Sequence, residues 1–243
     1  MITALIFAGG TGQRMNNGIK PKQFLELHGK PVIIYTIENF EYHPQIDNII
    51  VVCLDSWIKE LKDQIKKFGI KKVSNIVAGS NDGGDKSIFN GLKSLITVCK
   101  EDDIVLIHDG VRPLIDADLI FANITKVMEC GNAITVEKAS ESIVRLNGGN
   151  IITDVPPRDE MYIAKAPQSF KFGEILSLYM KADAEGKRAV DSAQLCNLYN
   201  IKLHTVPSCT NNVKITTAND YFIFRALFEA LENQQILTTI KGA

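Results

Sequence analysis

Short apolar runs alternate along the chain with segments whose apolar residues recur at helical spacing. The runs 2–7, 49–54, 73–77, 104–107 and 133–136 are brief and mostly Ile, Val, Leu and Ala, as buried strands are. Between them Trp57, Leu61, Ile65 and Phe68 share one helical face. So do Ile88, Leu92, Leu95 and Cys99, and then Ile120, Ile124 and Val127. Such alternation predicts an α/β fold, a mostly parallel sheet with helices on both faces. Further helices are predicted at about 172–184 and 192–199, a strand at 202–206, and a last helix from about Asn219.

The rhythm changes after Val136. Residues 140–146 and 151–155 alternate in character around Asn147-Gly148-Gly149-Asn150, the pattern of a β-hairpin. Pro156-Pro157 then interrupts regular pairing. The hairpin carries Ile143, Val144, Leu146, Ile151, Ile152 and Val155, too much apolar surface for a lone two-stranded ribbon to leave in water. The expectation is a projecting β-arm at about 140–164 that packs on a second copy of the chain. A homodimer of single-domain subunits, each spanning 1–243, follows from it.

The 243 residues suit one domain with such an excursion. The 27 basic and 28 acidic residues nearly cancel, which excludes a broad field for nucleic acid or an anionic membrane and leaves room for a local anion site. Cys53, Cys99, Cys130, Cys196 and Cys209 form no C-x-x-C pair, and four lie inside apolar patterns. Buried reduced thiols fit this better than disulfides or a zinc site. The chain opens on a predicted strand without a charged leader, and no stretch approaches ~20 apolar residues. A cytoplasmic location is therefore expected.

The first strand leads into Ala8-Gly9-Gly10-Thr11-Gly12-Gln13-Arg14-Met15. Three glycines in four positions let the backbone approach a ligand closely and turn its amides toward an anion. A plain strand–turn–helix junction would use the same residues. A dinucleotide-binding loop fits poorly, because Met15 stands where the third glycine belongs and no acidic residue ends a strand about twenty residues on. Two cations follow, Arg14 and the Lys22 of Lys20-Pro21-Lys22-Gln23-Phe24. Attack of a phosphate on the α-phosphorus of a nucleoside triphosphate builds negative charge on the equatorial oxygens and on departing pyrophosphate. Fixed cations and backbone donors meet that charge.

A second glycine-rich stretch, 79–87, runs Gly-Ser-Asn-Asp-Gly-Gly-Asp-Lys-Ser between a strand and a helix. Asp85 separates Gly84 from Lys86, so the Gly-Lys-Ser of a P-loop is absent. A polar loop and helix start reaching a nucleotide, with Ser87 bonding base or ribose, suits the residues better. The third feature is His108-Asp109-Gly110-Val111-Arg112-Pro113, directly after an apolar run. An Asp there lies at the carboxyl edge of the sheet, where α/β ligands bind. Asp109 is a candidate magnesium ligand, a hard carboxylate beside triphosphate oxygens, or else a cap or turn residue. Arg112 is a candidate substrate contact, and His108 suits packing more than proton transfer.

Together the segment from Ala8-Gly9-Gly10 to Met15, then Pro21-Lys22-Gln23-Phe24, His108 to Pro113, Ala166-Pro167-Gln168-Ser169-Phe170 and Asn212-Val213-Lys214-Ile215-Thr216-Thr217 occur in an order that resembles the cytidylyltransferases acting on methylerythritol 4-phosphate or ribitol 5-phosphate. The resemblance implies a Rossmann-like nucleotidyltransferase fold with a dimer-forming arm, CTP as co-substrate and magnesium as cofactor. It makes Arg14 and Lys22 the catalytic pair. It places CTP against Phe7, Ala8, Gly9 and Gly10 and against the second loop, where Gly79, Lys86 and Ser87 are the candidate contacts. Arg158 and Lys214 would position the substrate phosphate, with Asp109, Arg112 and Ser142 nearby. The 79–87 loop is longer than the family's and lacks its arginine. Ala166, Gly110-Val111 and Arg158-Asp159-Glu160-Met161-Tyr162 lie closer to the ribitol branch. The expected reaction is CTP plus D-ribitol 5-phosphate giving CDP-ribitol and pyrophosphate. The alternatives are the methylerythritol reaction of isoprenoid synthesis and a non-catalytic nucleotide sensor.

Overall fold

The computed structural model describes residues 1–9, 20–209 and 211–241, with side chains to position 234. Its centre is a seven-stranded sheet of β1 (Ile2–Ala8), β4 (Asn48–Cys53), β5 (Val73–Ala78), β6 (Ile104–Asp109), β7 (Asn132–Lys138), β10 (Tyr162–Lys171) and β11 (Thr205–Pro207). The order across the sheet is β11-β7-β10-β6-β1-β4-β5. Strands β1, β4, β5 and β6 pair in parallel, as do β7 and β11, whereas β10 runs antiparallel to both of its neighbours.

Alternation along β1 shows how the sheet sorts its side chains. Ala4, Ile6 and Ala8 face one layer with α1 (Val32–Glu41), α2 (Ile58–Lys67) and α4 (Ala117–Cys130). Leu5 and Phe7 face the other, with α3 (Gly84–Ser94), α5 (Phe172–Ala184) and α6 (Ser192–Leu198). Both faces are thus covered, which is what a near-continuous apolar strand requires. A third cluster joins Val32 and Tyr35 to Val111, Leu114, Ile215 and Phe224, docking α7 (Ala218–Lys241) beside the loop after β6.

Two elements depart from the sequence expectation. Helix α1 carries Val32, Ile33, Ile34, Tyr35, Thr36 and Ile37 in succession, all buried, so its first six residues show no helical period, and its partly exposed Glu38, Asn39 and Glu41 come only after them. Strand β10 holds Pro167 inside its run, which argues against a regular strand by sequence, but the proline sits where the pairing with β7 is irregular. The predicted strand 202–206 forms only over Thr205–Pro207.

Two short ribbons complete the fold. Glu26–Leu27 (β2) pairs with Lys30–Pro31 (β3). The hairpin of the arm pairs Arg145–Leu146 (β8) with Ile152–Asp154 (β9), a shorter ladder than the apolar alternation suggests. Its turn is held by the Asn147 side chain, whose Oδ1 accepts from the amides of Gly149 at 2.9 Å and Ile151 at 3.1 Å. Ile143, Val144, Leu146, Ile151, Ile152 and Val155 are all exposed in the single chain. Among the described residues no helix is long and apolar enough to cross a membrane.

Candidate active site

The carboxyl ends of β1, β5 and β6 meet at one edge of the sheet, where the loops after them come together. Gly9 and Gly79 touch there. A Cβ on Gly79 would lie 3.1 Å from the Gly9 Cα, and a Cβ on Gly9 would lie 2.7 Å from Ser87 Oγ. Only glycine permits that approach. Ser87, buried in the first turns of α3, accepts from the Ser80 amide at 3.0 Å and donates to the Gly83 carbonyl at 3.1 Å. It therefore fixes the second glycine loop from within. Phe7, Ala8, Gly9, Gly79 and Ser87 are thus assembled side by side. Gly10 and Arg14 lie outside the described residues.

Lys22 reaches the same edge through its neighbours. Residues Lys22–Phe24 form a short 3-10 turn. The buried Gln23 side chain donates to the Ala8 carbonyl at 2.7 Å, and the fully buried Phe24 ring lies 4.6 Å from that of Trp57. A polar and an aromatic anchor thereby hold the turn against the end of β1.

Asp109 is the hub of the β6 end. Arg112 Nε donates to its Oδ2 at 2.8 Å, and Lys214 Nζ contacts Oδ1 at 2.6 Å. Burial opposes the charge on Asp109, but Lys214 and then Arg112 more than offset it and bring its pKa down to about 2. Arg112 Nη1 also donates to the Asn212 carbonyl at 3.1 Å, so the 212–214 segment is drawn onto the loop after β6. His108 beside it is fully buried, packs edge-on to Phe40 and donates through Nε2 to the Arg112 carbonyl at 3.2 Å. Burial lowers its pKa to about 4, so it is a neutral packing group at physiological pH.

A cavity of about 340 Å³ opens beside this hub, lined by Phe7, Asp109, Arg112, Lys214, Lys165 and Asp191 among others. One wall is cationic. The lining also holds Gln168, whose Nε2 donates to Asp191 Oδ2 at 3.1 Å, while Asp191 caps α6 by accepting from the Gln194 amide at 2.8 Å. Lys165 and Asp191 are absent from the sequence-derived candidates. Lys165 stands in a stretch without a readable period, whereas Asp191 carried a usable signal as an Asp opening a helix.

Three candidates sit elsewhere. Lys86, expected at the nucleotide, instead pairs with Asp183 on α5, because its place in the first turn of α3 turns it away from Ser87. Ser142 and Arg158 are exposed on the arm and the turn after it, and the cavity lining includes neither. The arginine the second loop lacks in its own sequence arrives from outside it. Arg188 clasps the Asp85 carboxylate, with Nη2 2.7 Å from Oδ1, and donates from the same nitrogen to the Asp82 carbonyl at 2.6 Å. Among the described residues no three acidic, His or Cys side chains converge as a metal-binding cluster.

A mostly parallel α/β sheet with two glycine loops and fixed cations at its carboxyl edge is the arrangement of a nucleotide-binding α/β protein. The model of the IspD family, described as 2-C-methyl-D-erythritol 4-phosphate cytidylyltransferase, matches residues 2–230. The chain belongs to that family and is a CTP-using enzyme class member. It is 45% identical to a ribitol-5-phosphate cytidylyltransferase of Streptococcus agalactiae, over 97% of this chain and 99% of that one. It is 34% identical to a 2-C-methyl-D-erythritol 4-phosphate cytidylyltransferase of Geotalea uraniireducens, over 96% of this chain and 99% of the other. The crystal structure of a 4-diphosphocytidyl-2C-methyl-D-erythritol synthase from Anaerococcus prevotii superposes with a TM-score of 0.80 at 28% identity, covering 94% of this chain and 96% of its own.

Proposed function

We propose that the protein transfers the cytidylyl group of CTP to D-ribitol 5-phosphate, giving CDP-ribitol and pyrophosphate. The observation that carries the chemistry is the cavity beside Asp109, lined by Phe7 before the first glycine loop, Gly84 at the end of the second, and Arg112 and Lys214. The choice of polyol rests on the greater likeness to the ribitol-5-phosphate enzyme, 45% against 34% for the methylerythritol relative.

A phosphate oxygen of the polyol phosphate attacks the α-phosphorus of CTP. As that O–P bond forms, the bond from the α-phosphorus to the bridging oxygen breaks and pyrophosphate leaves with the electron pair. Lys22 and Arg14 meet the charge that grows on the α-phosphoryl oxygens and the leaving group. The Gly9 and Gly79 backbones, with Ser87, receive the nucleotide. Lys214 and Arg112 receive the polyol phosphate, Lys214 exchanging its contact with Asp109 for one with the substrate.

Asp109 stays ionised and offers one hard carboxylate, which fits magnesium if the triphosphate supplies most of the oxygens. Bound there, the ion would neutralise triphosphate charge. The arm would join two copies and bring Arg158 and Ser142 to the neighbour's site. The cytoplasm, where CTP is available, would be the place of action.

The test is pyrophosphate release with CTP and each polyol phosphate. Ribitol 5-phosphate should be the better substrate, and turnover should stop in excess chelator. CTP binding without release under every substrate would refute the proposal in favour of a nucleotide sensor.

A further inference from the structure

Strand β10 does not run evenly beside β7. Ala164 stands opposite Val136 and Gln168 opposite Ile134, so the three residues 165–167 face Thr135 alone. A bulge of this kind aims side chains where a regular ladder would not, and such bulges favour active sites. It is tied down on both sides. Thr135 Oγ1 donates to the Pro167 carbonyl at 2.7 Å, and Asn212 Nδ2 donates to the Ala166 carbonyl at 2.7 Å.

The bulge puts Lys165 into the wall of the cavity, with only 12% of its side chain exposed. Its Nζ pairs with Glu137 and donates to the Asn212 carbonyl at 3.1 Å, the same oxygen that Arg112 Nη1 reaches at 3.1 Å. Two cations therefore share one acceptor, and Lys214 is a third in the same wall. Asp109 and Glu137 pair with these cations, while Asp191, the third acid of the site, accepts from the Gln168 side chain and the Gln194 amide. Glu137 is more exposed than Asp109, so its hold on Lys165 is the one that water weakens. Three cations so gathered, Arg112 and Lys165 nearly buried and Lys214 more exposed, are placed to meet an anion.

We propose that Lys165 is a ligand of the polyol's phosphate group, taking that dianion together with Arg112 and Lys214. The proposal rests on the functional reading above. The competing role is a strut, in which Lys165 only braces the Asn212 carbonyl.

Lys165→Gln separates the two, because it retains a donor for Asn212 and removes the charge. Wild-type turnover of ribitol 5-phosphate with CTP is measured first, and its absence would refute the functional reading rather than this one. In Lys165→Gln the KM for ribitol 5-phosphate should rise roughly tenfold to a hundredfold, the range for a lost charge-assisted bond, while the KM for CTP stays within about twofold. Inhibition by inorganic phosphate, competitive with ribitol 5-phosphate, should weaken by a similar factor. Lys165→Arg should recover most of the loss. Glu137→Gln, which frees the ammonium, should leave the ribitol 5-phosphate KM unchanged or lower it. An unchanged KM in Lys165→Gln, a rise confined to CTP, or a rise in Glu137→Gln equal to that in Lys165→Gln would each overturn the proposal. Lys165→Met carries the same expectation if the glutamine variant melts early.

Discussion

At the residue scale, groups that would meet growing charge are distinct from groups that hold them in place. In the proposed reaction Lys22 is of the first kind, and Gln23 and Phe24, which anchor its turn, are of the second. Lys22→Ala and Arg14→Ala should each lower kcat more than they weaken CTP binding, because the charge they meet develops only during reaction. Loss of one such group costs on the order of 3 kcal/mol, about a hundredfold or more in turnover, and steady-state kinetics checks it. His108 shows how burial fixes a protonation state. Its pKa is about 4 in the fold against 6.5 in a free chain. Between those values the unfolded state binds more protons, so stability falls as pH drops from 6.5 toward 4 and the loss from this group ends there. The shift corresponds to roughly 3 kcal/mol. His108→Gln should therefore lose less melting temperature than wild type between pH 6.5 and pH 4, and an equal loss in both would assign the slope to other groups.

At the scale of elements, legibility followed periodicity. The parallel strands and the amphipathic helices α2, α3 and α4 carry periods that survive in the sequence, and they appear within a few residues of their expected places. Helix α1 opens on six successive buried residues and β10 is broken by a bulge, so neither has a clear period to read. The site divides in the same way. Gly9, Gly79, Asp109 and Arg112 stand at strand ends, where type and position are legible together. Lys165 and Asp191 enter the cavity through a bulge and a helix cap brought from distant sequence, and Lys86 leaves it because a helical turn, not its neighbours in sequence, sets its direction. The contact between the two glycine loops makes a specific prediction. Gly79→Ala must push its new Cβ against the Gly9 backbone, a clash that costs about 1–3 kcal/mol. It should lower the urea midpoint accordingly and weaken CTP binding, as isothermal titration would report. An alanine variant with wild-type CTP affinity would remove this contact from the nucleotide site.

At the scale of the whole molecule, the arm is what the single chain leaves unfinished. Its apolar residues are exposed, and Arg158 lies beside it, away from the Asp109 cavity. If the arm crosses to a second copy, each site takes Arg158 from one chain and Lys214 from the other. Arg158→Ala and Lys214→Ala proteins, each nearly inactive alone, should then recover roughly a quarter of wild-type activity after subunit exchange, because about half the dimers are mixed and half of their sites whole. No recovery despite demonstrated exchange would place both residues in one chain's site. The polyol phosphate that the cavity accepts is a matter of selectivity, and selectivity between two substrates is the ratio of their kcat/KM values. That ratio is read most directly by competition: CTP, magnesium, the enzyme, and equal amounts of ribitol 5-phosphate and 2-C-methyl-D-erythritol 4-phosphate in one tube, with the early products resolved by phosphorus NMR. CDP-ribitol in large excess, matched by pyrophosphate, is the predicted result, and a predominance of the methylerythritol product would contradict it.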